Sequence, residues 1–360
     1  MGDDGSKSEP ASPASFSRST DAPWLEAAMS TVRPGRSVVS VESTEAGGRR
    51  STLIVRFADA DPVVVRGGRN EESGRSVATE GMLLAAITDA TAVPVPEPLS
   101  WGSATNGSVE TRDESQRRGD GAWIVTRFVE GDDLHGRFSG LTPATRRGIA
   151  AAFGRYLGEL HATFQFDGYG RLTASDGILR SEGGPDDGRR GSDADAWCEW
   201  LVERGHESLD RLPAEFDDIA EAARTRLDAW SVETAPTPRL YPWDLRPGNA
   251  LVADGRIAAI VDWESPLAAG AALSVAKAEY LLADWYVPAE VDALRRAFRD
   301  GYAAVRALPA VETVHRIVAV AETAVDSHGR VTNPRYPPVD RSEAVQFHRK
   351  HLRDAAGISK

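Results

Sequence analysis

Asp244, Asn249 and Asp262 fall within one short stretch, LYPWDLRPGNALVADGRIAAIVDWE, from Leu240 to Glu264. Two acids and an amide so placed carry the oxygen chemistry of a magnesium and phosphate site. Mg2+ asks for near-octahedral oxygen ligands, takes one or two from protein and leaves the rest to water and nucleotide phosphates. Asn249 and Asp262 can be those two. Asp244 is then left to accept the proton of a hydroxyl aligned for attack on phosphorus. Arg246, two residues after Asp244, can reach the transferring phosphoryl group and offset its growing charge. Taken singly, Asp244 to Asn249 is an Asx and Pro-Gly turn, and Asp262 a capping residue. The conjunction, with the apolar run RIAAIV beside it, is what points to chemistry.

Elements must hold these residues, and three β-branched runs come first: RSVVSVES, STLIVRF and PVVVR, separated by the turn formers TEAGGRR and ADAD. They predict antiparallel strands. SVATEGMLLAAIT has apolar residues at helical spacing, and AWIVTRFVEG is a further strand, reached through a polar loop at 102–121. After Gly131 the texture becomes helical. TPATRRGIAAAFGRYLGELHATF opens with Thr142 as N-cap and Pro143 in the first turn, and continues as a long amphipathic helix. Further helices are expected at 194–209, 213–233, 271–285, 288–307 and 341–355, with the stretch quoted first as short strands among them. The reading is an α+β chain: a disordered Ser/Pro/Asp-rich tail at 1–20, a β-rich N-terminal lobe at 21–130 and a helical C-terminal lobe at 131–360. Clefts between lobes are common ligand sites.

Composition narrows the function classes. A chain of 360 residues with 41% hydrophobic content can bury one large core or two modest ones. No apolar run approaches the roughly 20 residues that cross a bilayer, and the polar opening has no signal core, so a cytoplasmic protein without membrane partner is expected. The opening Met-Gly with Ser6 matches a myristoylation site weakly, since Asp3 and Asp4 are acidic and no second anchor follows. One cysteine, Cys198, excludes an internal disulfide framework and a multi-cysteine zinc site. Lysine stands only at 7, 277, 350 and 360, leaving the rest of the 42 basic residues to arginine, and net charge is −12. Arginine-for-lysine usage follows from a GC-rich genome. The acidity suits a halophilic cytosol, where molar salt screens carboxylate repulsion to about 3 Å. Either way the acidic balance argues against a nucleic-acid partner, whose phosphates want a positive face.

DLRPGNALV followed by IVDWE resembles the catalytic loop and metal aspartate of the aminoglycoside phosphotransferase family, the small-molecule branch of the protein-kinase-like bilobal fold. The likeness runs from about residue 36 to 308. LGELHATF is similar to the family's helix upstream of the loop, VPVPEPL to its lead-in to the fourth strand, and FRDGYAAV to a late helix. The resemblance implies ATP or GTP as donor, Mg2+ as cofactor and a hydroxyl or amine of a small molecule as acceptor, and the composition adds the expectation of a salt-adapted, haloarchaeal-type member. Asp244 would be its catalytic base, and Asn249 and Asp262 its metal ligands. Arg66 of PVVVR takes the place of the phosphate-binding lysine, and Glu80 that of its ion-pair partner. Gly47 and Gly48 of TEAGG resemble the loop over the nucleotide phosphates, though two glycines between strands also make an ordinary hairpin turn. Arg127, Phe128 and Val129 would be the hinge that reads the nucleotide base through its backbone.

Departures from the family pattern are specific. Pro242-Trp243 precedes Asp244 where a histidine is normally found two residues earlier, and LAAGAAL replaces a Gly-Asp-Pro run whose acid orders the catalytic loop. With Arg66, these motivate an alternative: a catalytically weak nucleotide- or metabolite-binding member. His161, Trp243 and Trp263 are expected in the core. Glu264 is either an aid to the metal site or a strand-end carboxylate. Asp193 and Asp195 are expected on a solvated face rather than in a pocket for a cationic substrate.

Overall fold

The computed structural model describes residues 23–44, 51–68, 71–103, 121–183 and 193–358. The expected tail at 1–20, Gly47 and Gly48, and most of the polar loop at 102–121 lie outside these residues. Two compact units form. One draws on the chain up to Gly74 and on Leu99–Phe128, the other on Arg75–Pro98 and Val129–Lys360.

The first unit is an antiparallel sheet of five strands: β1 (Val38–Ser43), β2 (Ser51–Phe57), β3 (Val63–Gly68), β4 (Pro98–Ser103) and β5 (Ala122–Arg127), in the order β1-β2-β3-β5-β4. Period-2 alternation buries Leu53, Val55, Val63 and Val65 on one face. Trp24 of helix α1 (Pro23–Val32) covers that face with Leu25 and Ala28. A Cβ at Gly67 would lie 2.5 Å from the Trp24 indole, so only glycine lets that ring rest on β3. Sequence reasoning missed α1, a ten-residue helix whose apolar side is legible only once the sheet beneath it exists.

Helix α2 (Glu71–Ala90) is fastened within the second unit by side chains of its second and third turns and by the segment that follows it. Ser76 Oγ donates to the Glu264 carbonyl at 3.1 Å, Ala174 N–H donates to Thr79 Oγ1 at 3.0 Å, and Ile260 N–H donates to the Pro94 carbonyl at 2.8 Å. Strand β6 (Asp132–Asp133) leads into the short helix α3 (Leu134–Arg137). The long helix α4 (Pro143–Thr163) starts as its sequence predicts, with Thr142 Oγ1 accepting from Thr145 N–H at 3.2 Å.

Strands β7 (Gly170–Ser175) and β8 (Ile178–Ser181) precede helices α5 (Ala194–Asp210) and α6 (Asp217–Asp228), and then β9 (Pro238–Tyr241), β10 (Ala250–Ala253), β11 (Arg256–Ile260) and β12 (Leu267–Gly270). Helix α7 (Ala271–Glu279) runs on as a π turn to Asp284, and α8 (Val291–Ala303), α9 (Thr313–Ala324) and α10 (Arg341–Ala356) complete the unit. Its sheets are β11-β10-β6 and β8-β7-β12-β9. Helices α4 and α8 meet backbone to backbone. A Cβ on Gly154 would lie 1.9 Å from the Phe298 carbonyl oxygen, and one on Gly301 would lie 2.0 Å from that of Ala151.

The expected helices are found, with 213–233 shortened to α6 plus one 3-10 turn. Helix α9 was not expected: VHRIVAV is rich in β-branched residues, which disfavour helix and mimic a strand. Burial on nearly every side, from Val314 to Ala324, overrides that propensity. The mixed α+β architecture with antiparallel sheets is the one expected. Among the described residues no helix is long and apolar enough to cross a membrane.

Candidate active site

The hairpin of β10 and β11 turns on Asp254-Gly255, both at positive φ (50° and 72°), as a two-residue primed turn requires. Ala250 pairs with Ile260, and one step beyond the ladder Val261 N–H donates to the Asn249 carbonyl at 2.8 Å. The register thus brings Asn249 alongside Val261 and makes Asp262 the next residue out. Asp262 has φ 67°, a left-handed conformation that Asp tolerates better than most residues and that still costs of order 1 kcal/mol. Its side chain is exposed.

On the other side of the hairpin, Pro247–Asn249 forms one 3-10 turn, in which Asn249 N–H donates to the Arg246 carbonyl at 3.0 Å. Asn249 is buried, and its Nδ2 donates to the Asp244 carbonyl at 2.9 Å. The amide nitrogen is spent on holding the loop, which leaves Oδ1 as the atom Asn249 can offer a cation. An amide oxygen and an exposed carboxylate fit Mg2+, whose remaining ligands come from phosphate and water. Among the described residues no three His, Cys, Asp or Glu side chains converge as a self-sufficient metal site.

Asp244 sits in the turn after β9 with a quarter of its side chain exposed. A cation faces each of its oxygens: Lys277 Nζ is 3.3 Å from Oδ1, and Arg246 Nε is 3.8 Å from Oδ2. The Arg246 guanidinium also lies 5.6 Å from the Trp285 ring centroid. Lys277, on α7, escaped sequence reasoning. It is 1% exposed and donates to Glu322 of α9 at 3.2 Å. Glu322 is also ion-paired to Arg204 of α5 and accepts from the Tyr241 hydroxyl at 2.7 Å. Burial works to raise the Glu322 carboxyl, but Arg204, Lys277 and the Tyr241 hydroxyl together outweigh it and hold it below the usual carboxylate range. Trp243 lies between the two cations, 3.6 Å from Lys277 Nζ and 4.9 Å from the Arg204 guanidinium carbon, measured to the ring centroid. It is half-buried in that ionic cluster, so the apolar core position expected for it is corrected.

A histidine does reach the loop, though not from it. A Cβ on Gly248 would lie 3.4 Å from His135 Nδ1, and that nitrogen is 2.9 Å from the Tyr286 hydroxyl. Burial and Arg246 lower the His135 pKa, with Asp133 pulling the other way. His161 and Trp263 are core residues as expected. His161 is fully buried between the Tyr302 and Ser274 hydroxyls, each 2.8 Å away, and burial with Arg306 and Arg239 lowers its pKa to about 3. Trp263 Nε1–H donates to the Ile260 carbonyl at 2.9 Å. Asp193 is the N-cap of α5, accepting from Ala196 N–H at 2.8 Å.

The remaining expected site residues are placed as follows. Arg66 is half-buried on β3, and Glu80 is buried on α2. Arg127 ends β5 exposed, 3.7 Å from Asp61. Phe128 N–H donates to the Pro62 carbonyl at 3.4 Å, and its ring lies 5.4 Å from the Arg56 guanidinium carbon. Val129 begins the second unit, half-buried.

Comparison with known proteins bears on the fold. A thermostable mutant of aminoglycoside phosphotransferase APH(4)-Ia, in ternary complex with ADP and hygromycin B, superposes with a TM-score of 0.60 at 13% identity, covering 93% of this chain and 99% of that one. Macrolide 2'-phosphotransferase MphH from Brachybacterium faecium superposes at 0.51 with 17% identity, covering 94% and 99%. At such identities these likenesses establish the fold. No curated protein matches the sequence. The sequence profile of the phosphotransferase enzyme family matches residues 41–308, most of the chain, and the protein belongs to that family.

Proposed function

We propose that the protein transfers the γ-phosphoryl group of ATP to a hydroxyl or amine of a small molecule in the cytoplasm, with Asp244 as the base. The observation that carries this reading is the partly exposed Asp244 carboxylate, set on the same short loop and hairpin that bring Asn249 alongside Val261, the residue before Asp262. The acceptor oxygen or nitrogen attacks the γ-phosphorus, the bond from that phosphorus to the ADP oxygen breaks, and the acceptor's proton passes to Asp244. Arg246 would meet the phosphoryl charge. Asn249 and Asp262 would hold Mg2+, which when bound neutralises phosphate charge. ADP and hygromycin B in the APH(4)-Ia complex support a nucleotide donor and a small acceptor.

A second reading, nucleotide binding with weak turnover, is favoured by one observation: both Asp244 oxygens already face cations. Arg66 in place of the family's lysine adds to it. Phosphorus NMR of the protein with ATP, Mg2+ and pooled hydroxylated and amino metabolites in molar KCl separates the two. A new phosphoester or phosphoramidate signal, absent with Asp244→Asn and formed at more than about 1 per second, establishes the kinase reading. Broadened nucleotide resonances without product leave either an acceptor outside the pool or a binding role, and shift the weight to the second.

A further inference from the structure

We infer that Lys277 is a positioning residue for the catalytic base: it pins the Asp244 carboxylate, through the buried Lys277–Glu322 pair, to the helical core of the second unit. The inference rests on Asp244 being the base. An ammonium has three N–H donors and no acceptor. Around Lys277 stand three matching groups: Glu322 Oε2 at 3.2 Å, Asp244 Oδ1 at 3.3 Å and the Trp243 face at 3.6 Å. Two of the three belong to the catalytic loop, on adjacent residues.

The frame behind Lys277 is stiff. One turn earlier on α7, the Ser274 hydroxyl meets His161 Nε2 of α4 at 2.8 Å, which sets the helix's rotation. Glu322 is held from α5 by Arg204 and from the end of β9 by Tyr241, three residues before Asp244. The loop is therefore gripped at Tyr241, Trp243 and Asp244 by one ionic cluster drawn from α5, α7 and α9.

Two features argue that the pair is there for the loop and not for stability. A buried ion pair seldom outperforms apolar side chains of the same volume, because desolvation cancels its Coulomb gain. And the chain uses arginine for almost every cation, while Lys277 is the buried one of the two lysines among the described residues. The ammonium's three N–H donors point in separate directions, which lets one Lys277 nitrogen meet two carboxylates and an indole face together, whereas a guanidinium directs its donors in one plane. Lys277 also answers the missing acid of the Gly-Asp-Pro run. The loop is ordered here from α7, with the opposite charge.

The test compares Lys277→Met, Asp244→Asn and their combination with Lys277→Met/Glu322→Gln, which leaves Asp244 and Arg204 as a neutral remainder and guards against misfolding. Loosening the base should lower kcat about 100-fold with nucleotide KM unchanged, the size expected when a reacting group drifts by about 1 Å. That loss should persist in Lys277→Met/Glu322→Gln when assayed well below that variant's own melting temperature, which falls because Arg204 loses its anionic partner, and Lys277→Met should add nothing once Asp244 is Asn. Wild-type kcat in Lys277→Met/Glu322→Gln, or losses that multiply in Lys277→Met/Asp244→Asn, would overturn the inference. Undiminished turnover in Asp244→Asn alone would instead remove the assignment of the base.

Discussion

Helix α7 and the π turn that extends it carry two ionic clusters, each built on two acids and two cations, the first with Arg246 added at its rim. One joins Asp244, Lys277, Glu322 and Arg204. The other joins Glu279 and Asp284 to Arg295 and Arg299 of α8: Arg299 lies 2.6 Å from Glu279, and Arg295 contacts both Asp284 oxygens at 2.8 Å. They differ in which charge faces out. In the first, Lys277 and Glu322 are sealed and the carboxylate of Asp244 is a quarter exposed; in the second, Glu279 and Asp284 are sealed and the side chains of Arg295 and Arg299 are 31% and 41% exposed. Burial raises the Asp284 pKa, against the pull of Arg295. Nearly equal charge around one helix thus yields a presented carboxylate on one side and a clamp on the other. Chemistry depends on which member reaches solvent, not on the number of charges.

The largest expected effect breaks the first cluster at its exposed member. Asp244→Asn keeps size and most contacts but cannot take a proton, so turnover should fall about 1,000-fold, within the range for lost general-base catalysis. Circular dichroism and melting temperature should be unchanged. The same change in the second cluster should do the reverse. Glu279→Gln leaves two arginines against a neutral amide, and removal of one partner of a buried pair costs about 3 kcal/mol. Thermal melting should show it, while kcat stays within threefold of wild type. A large kcat loss in Glu279→Gln with stability intact would erase the distinction between the clusters.

Protonation gives a subtler test, because neutral histidines hold both ends of α7. His161 meets Ser274, and His348 meets the Tyr280 hydroxyl at 2.9 Å. Burial lowers their pKa values to about 3 and about 4, well under the unfolded value near 6.5. The folded state therefore binds fewer protons. Stability from these groups is complete above pH 6.5 and is lost as pH falls toward their folded values, at about 1.4 kcal/mol per pH unit for each. Urea melts between pH 7.5 and 4.5 should show this decline, and His348→Phe should make it shallower. A flat profile would mean that protons reach these rings in the folded state.

The comparison also shows what was legible in sequence. Asp244, Arg246, Asn249 and Asp262 could be singled out together because a loop and hairpin place neighbours in sequence as neighbours in space. The rest of the first cluster comes from α5, α7 and α9, far apart in the chain, and nothing local marks Arg204, Lys277 and Glu322 as partners. Glu322 was hidden further because α9 reads by propensity as a strand. Scarcity was the one available signal: a single lysine in an otherwise arginine-only interior stretch could have singled out Lys277. His135 shows the same limit. The loop's missing histidine was read correctly, but its replacement from α3 appears only when the Gly248 turn packs against that helix.

The smallest expected effect separates support of the first cluster from membership in it. Arg204 is carried by α5, whose first turn is capped by Asp193. Asp193→Ala removes one cap bond, worth about 1 kcal/mol, which in a unit of this size lowers the melting temperature by about 2–4 °C. Arg204 lies three turns further along the helix, beyond the reach of fraying at the N-terminus, so kcat and both KM values should not change. Asp193 could otherwise have belonged to an acidic wall for a cationic acceptor, as its neighbours Asp195 and Glu199 would allow. In that case the acceptor KM would rise several-fold with stability barely altered. Salt distinguishes the two further: a cap is a short, local hydrogen bond and should hold in molar KCl, whereas attraction of a cationic acceptor by exposed carboxylates is screened there. A melting shift that survives molar KCl, with acceptor KM constant across salt, would fix Asp193 as a helix cap and confine the catalytic carboxylate chemistry to the side of α7 where Asp244 faces out.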